Sequence, residues 1–235
     1  MWLDLHKDSQ ITRIFAYTTF SNTPITMKIK AIIAAAAAFI LMTGCDRSVK
    51  LFNGKDLDGW GFALADDSKT PEEVFYVEDG IIHITGQPFG YMYTQEKYSN
   101  FDLDVEWAWE GEGTNSGIFL LIEDLTAPFP NCIECNLKAG DAGVFVVLGG
   151  AALEEVKPDE AGGRFLRKNR IEESPSEKPD GEWNLTHIEV RDGHIKAYIN
   201  GVLQNEGTDL NKEGRIGLQS EGGHVKFRSV VLDPK

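Results

Sequence analysis

Phe101-Asp-Leu-Asp-Val-Glu-Trp-Ala-Trp109 alternates apolar with mainly acidic residues along the chain. Successive side chains of a β-strand point to opposite faces, so this period of two predicts one long strand with an aromatic face in the core and an acidic face toward solvent. Trp107 lies on the apolar face, and we expect it to be buried between two sheets. Glu78-Asp-Gly80 and Asp192-Gly193 separate shorter alternating runs in the way that hairpin turns do.

Roughly a dozen alternating runs follow residue 50, at intervals of about 8–12 residues, which is typical of a sandwich of two antiparallel sheets. The charged segment 151–182 interrupts them. We expect a long loop there, with one helical turn near 151–156, that acts as a lid, a binding loop or surface decoration. The sequence therefore predicts an all-β fold and a single domain over residues 49–235.

The composition excludes several classes of function. The chain has 37 acidic and 23 basic side chains, and its formal charge of −14 repels phosphate backbones and anionic lipid headgroups, so we expect no nucleic-acid partner. Walker A, H-E-x-x-H and G-x-S-x-G motifs are absent, and no helix pattern follows the glycine-rich stretch 112–117. The E-x-D-x-x-E strand of laminarinase-like glucanases is also absent, which disfavours ordinary two-carboxylate glycoside hydrolysis.

The N-terminal region has the pattern of an export signal. A short basic segment, Met27-Lys-Ile-Lys30, precedes the apolar run Ala31–Met42, which is too short to span a bilayer because a spanning helix needs about 20 residues. We expect residues 27–44 to be a signal peptide and residues 1–26 to be an upstream extension from a misplaced start codon.

Leu41-Met-Thr-Gly-Cys45 ends this region and resembles the lipobox of bacterial lipoproteins. The resemblance implies that Cys45 is lipidated and becomes the mature N-terminus. It also implies an exported lipoprotein, periplasmic or at the cell surface, that touches the membrane only through its lipid anchor. The alternative is an ordinary signal peptide with an incidental cysteine.

Two further cysteines, Cys132 and Cys135, lie in a run that is predicted to be a strand. Residues i and i+3 of a strand point to opposite faces, which is poor geometry for a disulfide. Two buried or half-buried thiols are the favoured interpretation. A disulfide stays an alternative in an exported protein, and redox or metal chemistry is a third, although two cysteines are too few for a zinc site.

Polar side chains share one face of this same predicted strand. Alternation places Glu134, Asn136 and Lys138 together, opposite the apolar face, and an acid, an amide and an amine in one row can bind a polyol and move a proton. Gln219 leads to Glu221 in a glycine-rich turn, and Asn115 begins another strand. We expect these strand ends to form a groove that binds sugars, although a solvated edge face would show the same pattern.

A series of motifs along residues 50–235 resembles the 3-keto-disaccharide hydrolase domain family. The resemblance implies a concanavalin-like jelly roll with its site on the concave sheet, and activity on 3-keto-glycosides. The motifs, in the order of the family, are Leu51-Phe-Asn-Gly-Lys-Asp-Leu-Asp-Gly-Trp60, Tyr98-Ser-Asn-Phe-Asp-Leu-Asp-Val-Glu-Trp107, Asn115-Ser-Gly-Ile-Phe-Leu120, Ile133-Glu-Cys-Asn-Leu-Lys138, Gly181-Glu-Trp-Asn184, Ile199-Asn-Gly-Val202, Gly214-Arg-Ile-Gly-Leu-Gln219 and Phe227-Arg228.

Three positions bear on how closely the chain follows the family pattern. Leu121 stands where many members have Arg, and Ser229 stands where Asn is usual. Glu221 occupies a turn position that is His or Glu in many members. The loss of Arg and Asn raises the question of whether the substrate or the activity has changed.

The chemistry of such a family requires three groups. A ketone at C3 acidifies the C2 proton, so a base must remove that proton, a donor or cation must stabilise the enolate oxygen, and an acid must protonate the departing alcohol. We expect Glu134 to be the base.

Other residues are assigned to the remaining roles. Lys138 or Arg228 is expected to stabilise the enolate, and Glu221 or His187 to be the acid. Asn115, Asn136 and Gln219 would bind the sugar. No cofactor is required by the sequence, although a divalent cation such as Ca²⁺ is possible. Competing interpretations are a non-catalytic carbohydrate-binding module and a structural lipoprotein, because sandwich folds serve several uses.

Lipidation gives the first testable prediction. Replacing Cys45 with Ala removes the thiol that is predicted to accept the lipid, so labelling with a fatty-acid analogue should tag the wild type and not Cys45→Ala. Equal labelling of both proteins would contradict the lipoprotein interpretation.

Overall fold

A computed structural model describes residues 47–157 and 165–235, which form fifteen β-strands and one short helix. The predicted signal peptide, Cys45 and the upstream extension lie outside the described residues. The helix is α1 (Pro71–Val74). The strands are β1 (Val49–Lys50), β2 (Trp60–Leu64), β3 (Phe75–Glu78), β4 (Ile81–Ile84), β5 (Gly90–Thr94), β6 (Phe101–Trp109), β7 (Gly117–Ile122), β8 (Cys132–Asn136), β9 (Phe145–Leu148), β10 (Leu166–Lys168), β11 (Asn184–Arg191), β12 (His194–Ile199), β13 (Val202–Thr208), β14 (Arg215–Ser220) and β15 (Val225–Pro234).

The strands form two antiparallel sheets, as the sequence predicted. The eight-stranded sheet has the order β13-β12-β11-β6-β15-β4-β3, with β1 beside β15, and the seven-stranded sheet has the order β10-β9-β8-β7-β14-β5-β2. Strands that follow each other in sequence often lie in different sheets, as β6 and β7 do. This layout confirms the jelly-roll sandwich.

The central strand β6 occupies the middle of the eight-stranded sheet, between β11 and β15. Its residues Leu103, Val105 and Trp107 are fully buried in the core between the sheets. The Trp107 indole Nε1 donates a hydrogen bond to Thr186 Oγ1 at 2.9 Å, so its one polar atom is satisfied. The acidic residues of β6 point to the opposite side, as predicted from the period of two.

The segment after β9 differs from the prediction. Residues 151–157 contain turns and one isolated bridge between Leu153 and Asp209, and no helical turn. Within the predicted loop, β10 pairs with β9 as the edge strand of the seven-stranded sheet. No helix in the described part of the chain is long and apolar enough to cross a membrane.

A break in alternation occurs at the end of β7. Leu121 has a φ of 55° in the left-handed region, and the pairing of β7 with β14 shifts register beside it. The shift turns Leu121 into the core between the sheets and leaves Ile122 on the outer face. Gly214 packs against this bulge, since a Cβ there would lie 2.2 Å from the carbonyl carbon of Leu121.

Removal of the central indole tests this register. Trp107→Ala should lower the free energy of unfolding by about 3–5 kcal/mol, because it leaves a cavity in the core. Asp104→Ala is the control on the opposite face of β6, where the half-exposed carboxylate pairs with His187 and should contribute at most about 1 kcal/mol. Denaturant unfolding measures both values, and equal losses would contradict the register.

Candidate active site

The outer face of the seven-stranded sheet carries an apolar cluster of its own, separate from the core between the sheets. The rings of Phe129 and Phe165, whose centroids are 5.0 Å apart, pack against it. These rings help to shield the cluster from water, although it lies on the face that does not pack against the eight-stranded sheet. Its buried members are Tyr91, Phe119, Ile122, Cys132, Val144, Val146 and Leu148.

Strand β8 contributes the acid that the sequence singled out. Ile133 and Cys135 belong to the core between the sheets, whereas Cys132 and Glu134 face the outer cluster, as predicted from alternation. Both cysteines are free and buried, on opposite faces of the strand. Glu134 is only 4% exposed, which is unusual for a carboxyl group.

Gly117 on the neighbouring strand makes room for this carboxyl group. A Cβ at residue 117 would lie 2.6 Å from both Cγ and Oε1 of Glu134, which is closer than side-chain atoms can approach. Gly117 pairs directly with Asn136 of β8. The Glu134 side chain therefore leans across the backbone of β7, in the direction of Asn136.

The surroundings of Glu134 keep its neutral form populated up to a higher pH than usual. Burial above all, and the nearby charge of Glu221, raise the pKa of Glu134 to about 8, and the charge of Arg167 opposes the shift. The Oε1 atom is buried and has no hydrogen-bond partner among the described residues. The side chain thus combines a titratable proton near neutral pH with an unused polar atom.

Strand β14 brings a second acid toward the same place. The backbone oxygen of Gln219 accepts a hydrogen bond from Ser116 Oγ (2.9 Å), which places Gln219 beside Gly117, on the side opposite Asn136. The amide Nε2 of Gln219 donates to Glu221 Oε2 at 2.6 Å. The Oε1 atom of Gln219 is buried, and none of the described residues forms a hydrogen bond with it.

The turn after β14 also holds Asn115 near these residues. Gly223 N donates to Thr114 Oγ1, and a Cβ at Gly222 would lie 3.3 Å from Asn115 N. The Oδ1 atom of Asn115 is buried and has no hydrogen-bond partner within residues 47–157 and 165–235. The structure therefore gathers Glu134, Gln219, Glu221 and Asn115, as the sequence predicted.

Asn136 and Lys138 lie at the edge of this group. Asn136 Oδ1 accepts a hydrogen bond from the backbone N of Lys138 at 2.6 Å, which closes the turn after β8. Lys138 lies beyond the end of the strand, and its half-exposed Nζ contacts Asp141 Oδ2 at 3.1 Å. Both residues are adjacent to the site, but each already has a structural partner.

His187 and Arg228 lie elsewhere. They project from the outer face of the eight-stranded sheet, where His187 Nδ1 lies 2.7 Å from Asp104 Oδ1 and Arg228 pairs with Glu106. The guanidinium of Arg228 also lies 4.6 Å from the ring centroid of Trp183. The two sheets turn their outer faces in opposite directions, so neither residue reaches Glu134, and we leave both out of the site.

Arg167 was missed because it lies inside the segment that the sequence predicted to be a loop. Leu166 of β10 packs against the core between the sheets, while Phe165, just before the strand, packs against the outer cluster. Alternation then places Arg167 on the outer face. Phe165-Leu-Arg-Lys168 is two apolar residues followed by two basic ones, so no period of two marked this strand in the sequence.

The described residues contain no cluster of acidic, histidine or cysteine side chains that could hold a metal ion. No three His, Cys, Asp or Glu side chains within residues 47–157 and 165–235 lie close enough together to bind a metal ion. The Ca²⁺ ion that the sequence allowed stays a prediction.

The fold and the site together define a jelly-roll sandwich domain with a buried carboxyl group on one outer sheet face. The chain belongs to the family of the 3-keto-alpha-glucoside-1,2-lyase-like domain, whose model matches residues 47–233. A relative from Bacteroides thetaiotaomicron named 3-keto-disaccharide hydrolase is 26% identical, over 82% of this chain and 81% of that protein.

Solved structures share the fold at lower identity. A candidate glycosyl hydrolase from Parabacteroides distasonis is 23% identical, with a TM-score of 0.57 over 80% of this chain and 99% of that one. The β-glucanase of Bacillus licheniformis is 12% identical, with a TM-score of 0.51 over 83% of this chain and 100% of that one. These likenesses confirm the fold.

The buried carboxyl predicts an unusual pH dependence of stability. Because the folded state holds the Glu134 proton up to a pKa of about 8 and the unfolded state only to about 4.5, folding is favoured by protonation. The stabilisation is complete below pH 4.5 and is lost as the pH rises to about 8.

Glu134→Gln replaces the titratable carboxyl group with an amide of nearly the same shape. Relative to the variant, the wild type should lose stability between these two pH values, by up to about 1.4 kcal/mol per pH unit. Denaturant unfolding of both proteins at a series of pH values measures the difference. A difference that does not change with pH would show that Glu134 titrates normally.

Proposed function

We propose that this chain cleaves 3-keto-glycosides, among them 3-keto-disaccharides, by elimination across C1 and C2 followed by hydration. The observation that carries the proposal is the Glu134 carboxyl, which is buried, has an unpartnered oxygen and has a pKa of about 8. The family name, a 1,2-lyase-like domain, and the name of the Bacteroides relative support the same substrate class and the same bond.

The reaction balances with two proton carriers, Glu134 and Glu221. The carboxylate of Glu134 removes the proton from C2, which is acidic because C3 is a ketone, and the electron pair is delocalised onto the C3 oxygen as an enolate. The enolate then forms the C1–C2 double bond and expels the glycosidic oxygen, which takes a proton from Glu221 and leaves as the alcohol. Water adds to C1 of the enone and returns one proton to Glu221, and C2 regains its proton from Glu134, so the sum is hydrolysis.

A base that works near neutral pH needs a pKa in that range, and burial provides it for Glu134. An ordinary glutamate would be ionised, but too weak a base for a carbon acid. The shift also means that the active carboxylate form becomes more populated as the pH rises toward about 8. The rate of proton removal should rise with it.

Neighbouring groups fill the remaining roles in the proposal. Glu221 is held by Gln219 beside the base and is the candidate acid for the departing alcohol. The buried, unpartnered oxygens of Asn115 and Gln219 can accept hydrogen bonds from sugar hydroxyls. Asp141 holds two cations at the edge of the site, Lys138 and Arg167, and either can offer positive charge to the enolate.

A carbohydrate-binding module is the competing function. A carbohydrate-binding module of Bacillus subtilis has this fold, with 13% identity and a TM-score of 0.50, over 74% of this chain and 95% of that one, so the fold alone does not decide. A buried carboxyl with a raised pKa costs stability and is not needed to hold a sugar, which favours catalysis. Export as a lipoprotein through Cys45 is part of the proposal and would place the site where extracellular carbohydrate arrives.

The test follows proton removal itself. In D₂O, the wild type should exchange the C2 hydrogen of a methyl 3-keto-α-glucoside and release methanol, and Glu134→Gln should lower both rates by about 10²–10⁴-fold while binding is largely kept. Glu189→Gln, on the outer face of the eight-stranded sheet, is the matched control and should keep the wild-type rates.

Two results would contradict the proposal. A wild type that binds the sugar without exchange or release would be a binding module, and Asn136→Ala or Gln219→Ala would then weaken binding. An active wild type whose Glu134→Gln variant exchanges C2 at the same rate would remove Glu134 as the base and leave Glu221 as the next candidate.

A further inference from the structure

We propose that Arg167 is the cation that stabilises the enolate oxygen, a catalytic role that rests on the proposed function. The residue lies on the short edge strand β10, within a charged segment that separates the family-like motifs. Three observations support it: its register with Glu134, its ion pair with Asp141 and the positions of the competing cations.

Strand register places Arg167 in one row with the base. Arg167 pairs with Val146 of β9, and Val146 pairs with Glu134 of β8, so the three residues lie side by side across adjacent strands. All three face the outer side of the sheet. Two strand spacings separate the backbones of Arg167 and Glu134 by about 9.6 Å, which an extended arginine side chain can largely bridge.

The ion pair with Asp141 holds the Arg167 guanidinium at the end of β8 toward which the Glu134 carboxyl group leans. Asp141 follows the turn after β8, and its Oδ2 lies 3.6 Å from Nη2 of Arg167. Glu134 leans across Gly117 toward this same end of β8. The Arg167 side chain is 41% exposed, so it is free to leave Asp141 for a bound ligand.

The other cations are less well placed. Lys138 shares Asp141 but lies beyond the end of β8, and Arg228 is on the other sheet. Arg215 faces the outer cluster, 6.0 Å from the ring centroid of Tyr93. It lies four residues, or about 13 Å, along β14 from Gln219, at the end away from the Glu134 carboxyl.

The chemistry of arginine suits this position. The guanidinium is always charged and presents parallel N–H donors, so it can hold the C3 oxygen and a neighbouring hydroxyl together. C3 is bonded to C2, so a cation for the enolate must stand beside the base that takes the C2 proton. Negative charge develops on this oxygen only after proton removal, which makes the interaction stronger in the transition state than in the bound ketone.

The same arrangement couples Arg167 to the ionisation of the base. The charge of Glu221 raises the pKa of Glu134, and the charge of Arg167 lowers it. Cys132, on the same face of β8, stays neutral because burial raises its pKa. Loss of Arg167 removes the charge that lowers the pKa of Glu134. The pH at which proton removal reaches half its maximal rate should therefore move upward, which a purely structural role would not cause.

The experiment compares four variants by C2 exchange of methyl 3-keto-α-glucoside in D₂O at a series of pH values. Arg167→Met should lower the maximal rate by about 10²–10³-fold and shift the half-maximal pH upward, and Arg167→Lys should recover part of both. Lys138→Met should have the smaller effect. Lys196→Met, which removes a positive charge from the outer face of the eight-stranded sheet, is the control for net charge.

The outcomes separate this role from the proposed function. A wild type without exchange overturns the proposed function and this role with it. An active wild type overturns only the role of Arg167 if Arg167→Met matches Lys196→Met, if Lys138→Met causes the larger loss, or if the rate falls with no change in the half-maximal pH.

Discussion

The Glu134 carboxyl group packs directly against Gly117, and this contact makes room for a buried acid on the outer face of the seven-stranded sheet. A side chain at residue 117 would occupy the space that Cγ and Oε1 of Glu134 fill. With glycine there, the carboxyl group can lie flat against the sheet, among apolar residues and out of water. Desolvation then raises its pKa to about 8, which turns a weak base into one suited to a carbon acid.

The sandwich tolerates this group because stability is provided elsewhere. The inner face of the same strands packs against the eight-stranded sheet, and Trp107 and its neighbours form the main core there. The outer face can therefore carry buried polar atoms, among them those of Gln219 and Asn115, that have no hydrogen-bond partner in the part of the chain that the structure describes. Such atoms cost free energy in the unbound protein, and a bound sugar can recover it by supplying the missing hydrogen bonds.

Local pattern predicted the parts of the site that depend on a single strand. The period of two in β6 placed Trp107 in the core, and the same rule put Glu134 on the opposite face of β8 from Cys135. The period-of-two rule failed where the position of a residue depends on pairing between strands that are distant in the sequence. His187 belongs to a strand of the other sheet, and alternation cannot tell which sheet a strand joins. Leu121 faces inward because of a bulge that arises between two strands.

Arg167 was missed for the same reason, because local pattern does not determine which distant strands pair. Its segment is rich in charge, and only three residues pair with β9, so composition predicted a loop. The row that joins Arg167 to Glu134 exists only once β10, β9 and β8 are aligned in register, and no spacing in the sequence encodes that alignment. The general form of the site, a carboxyl with amides nearby, was predictable, whereas its cation was not.

The most direct test of the account is a crystal structure of the Glu134→Gln variant with a bound 3-keto-disaccharide. The account predicts the sugar on the outer face of the seven-stranded sheet, with C2 of the oxidised ring within about 3.5 Å of the side chain at residue 134. A sugar bound elsewhere on the domain, or one whose C2 points away from this side chain, would contradict it.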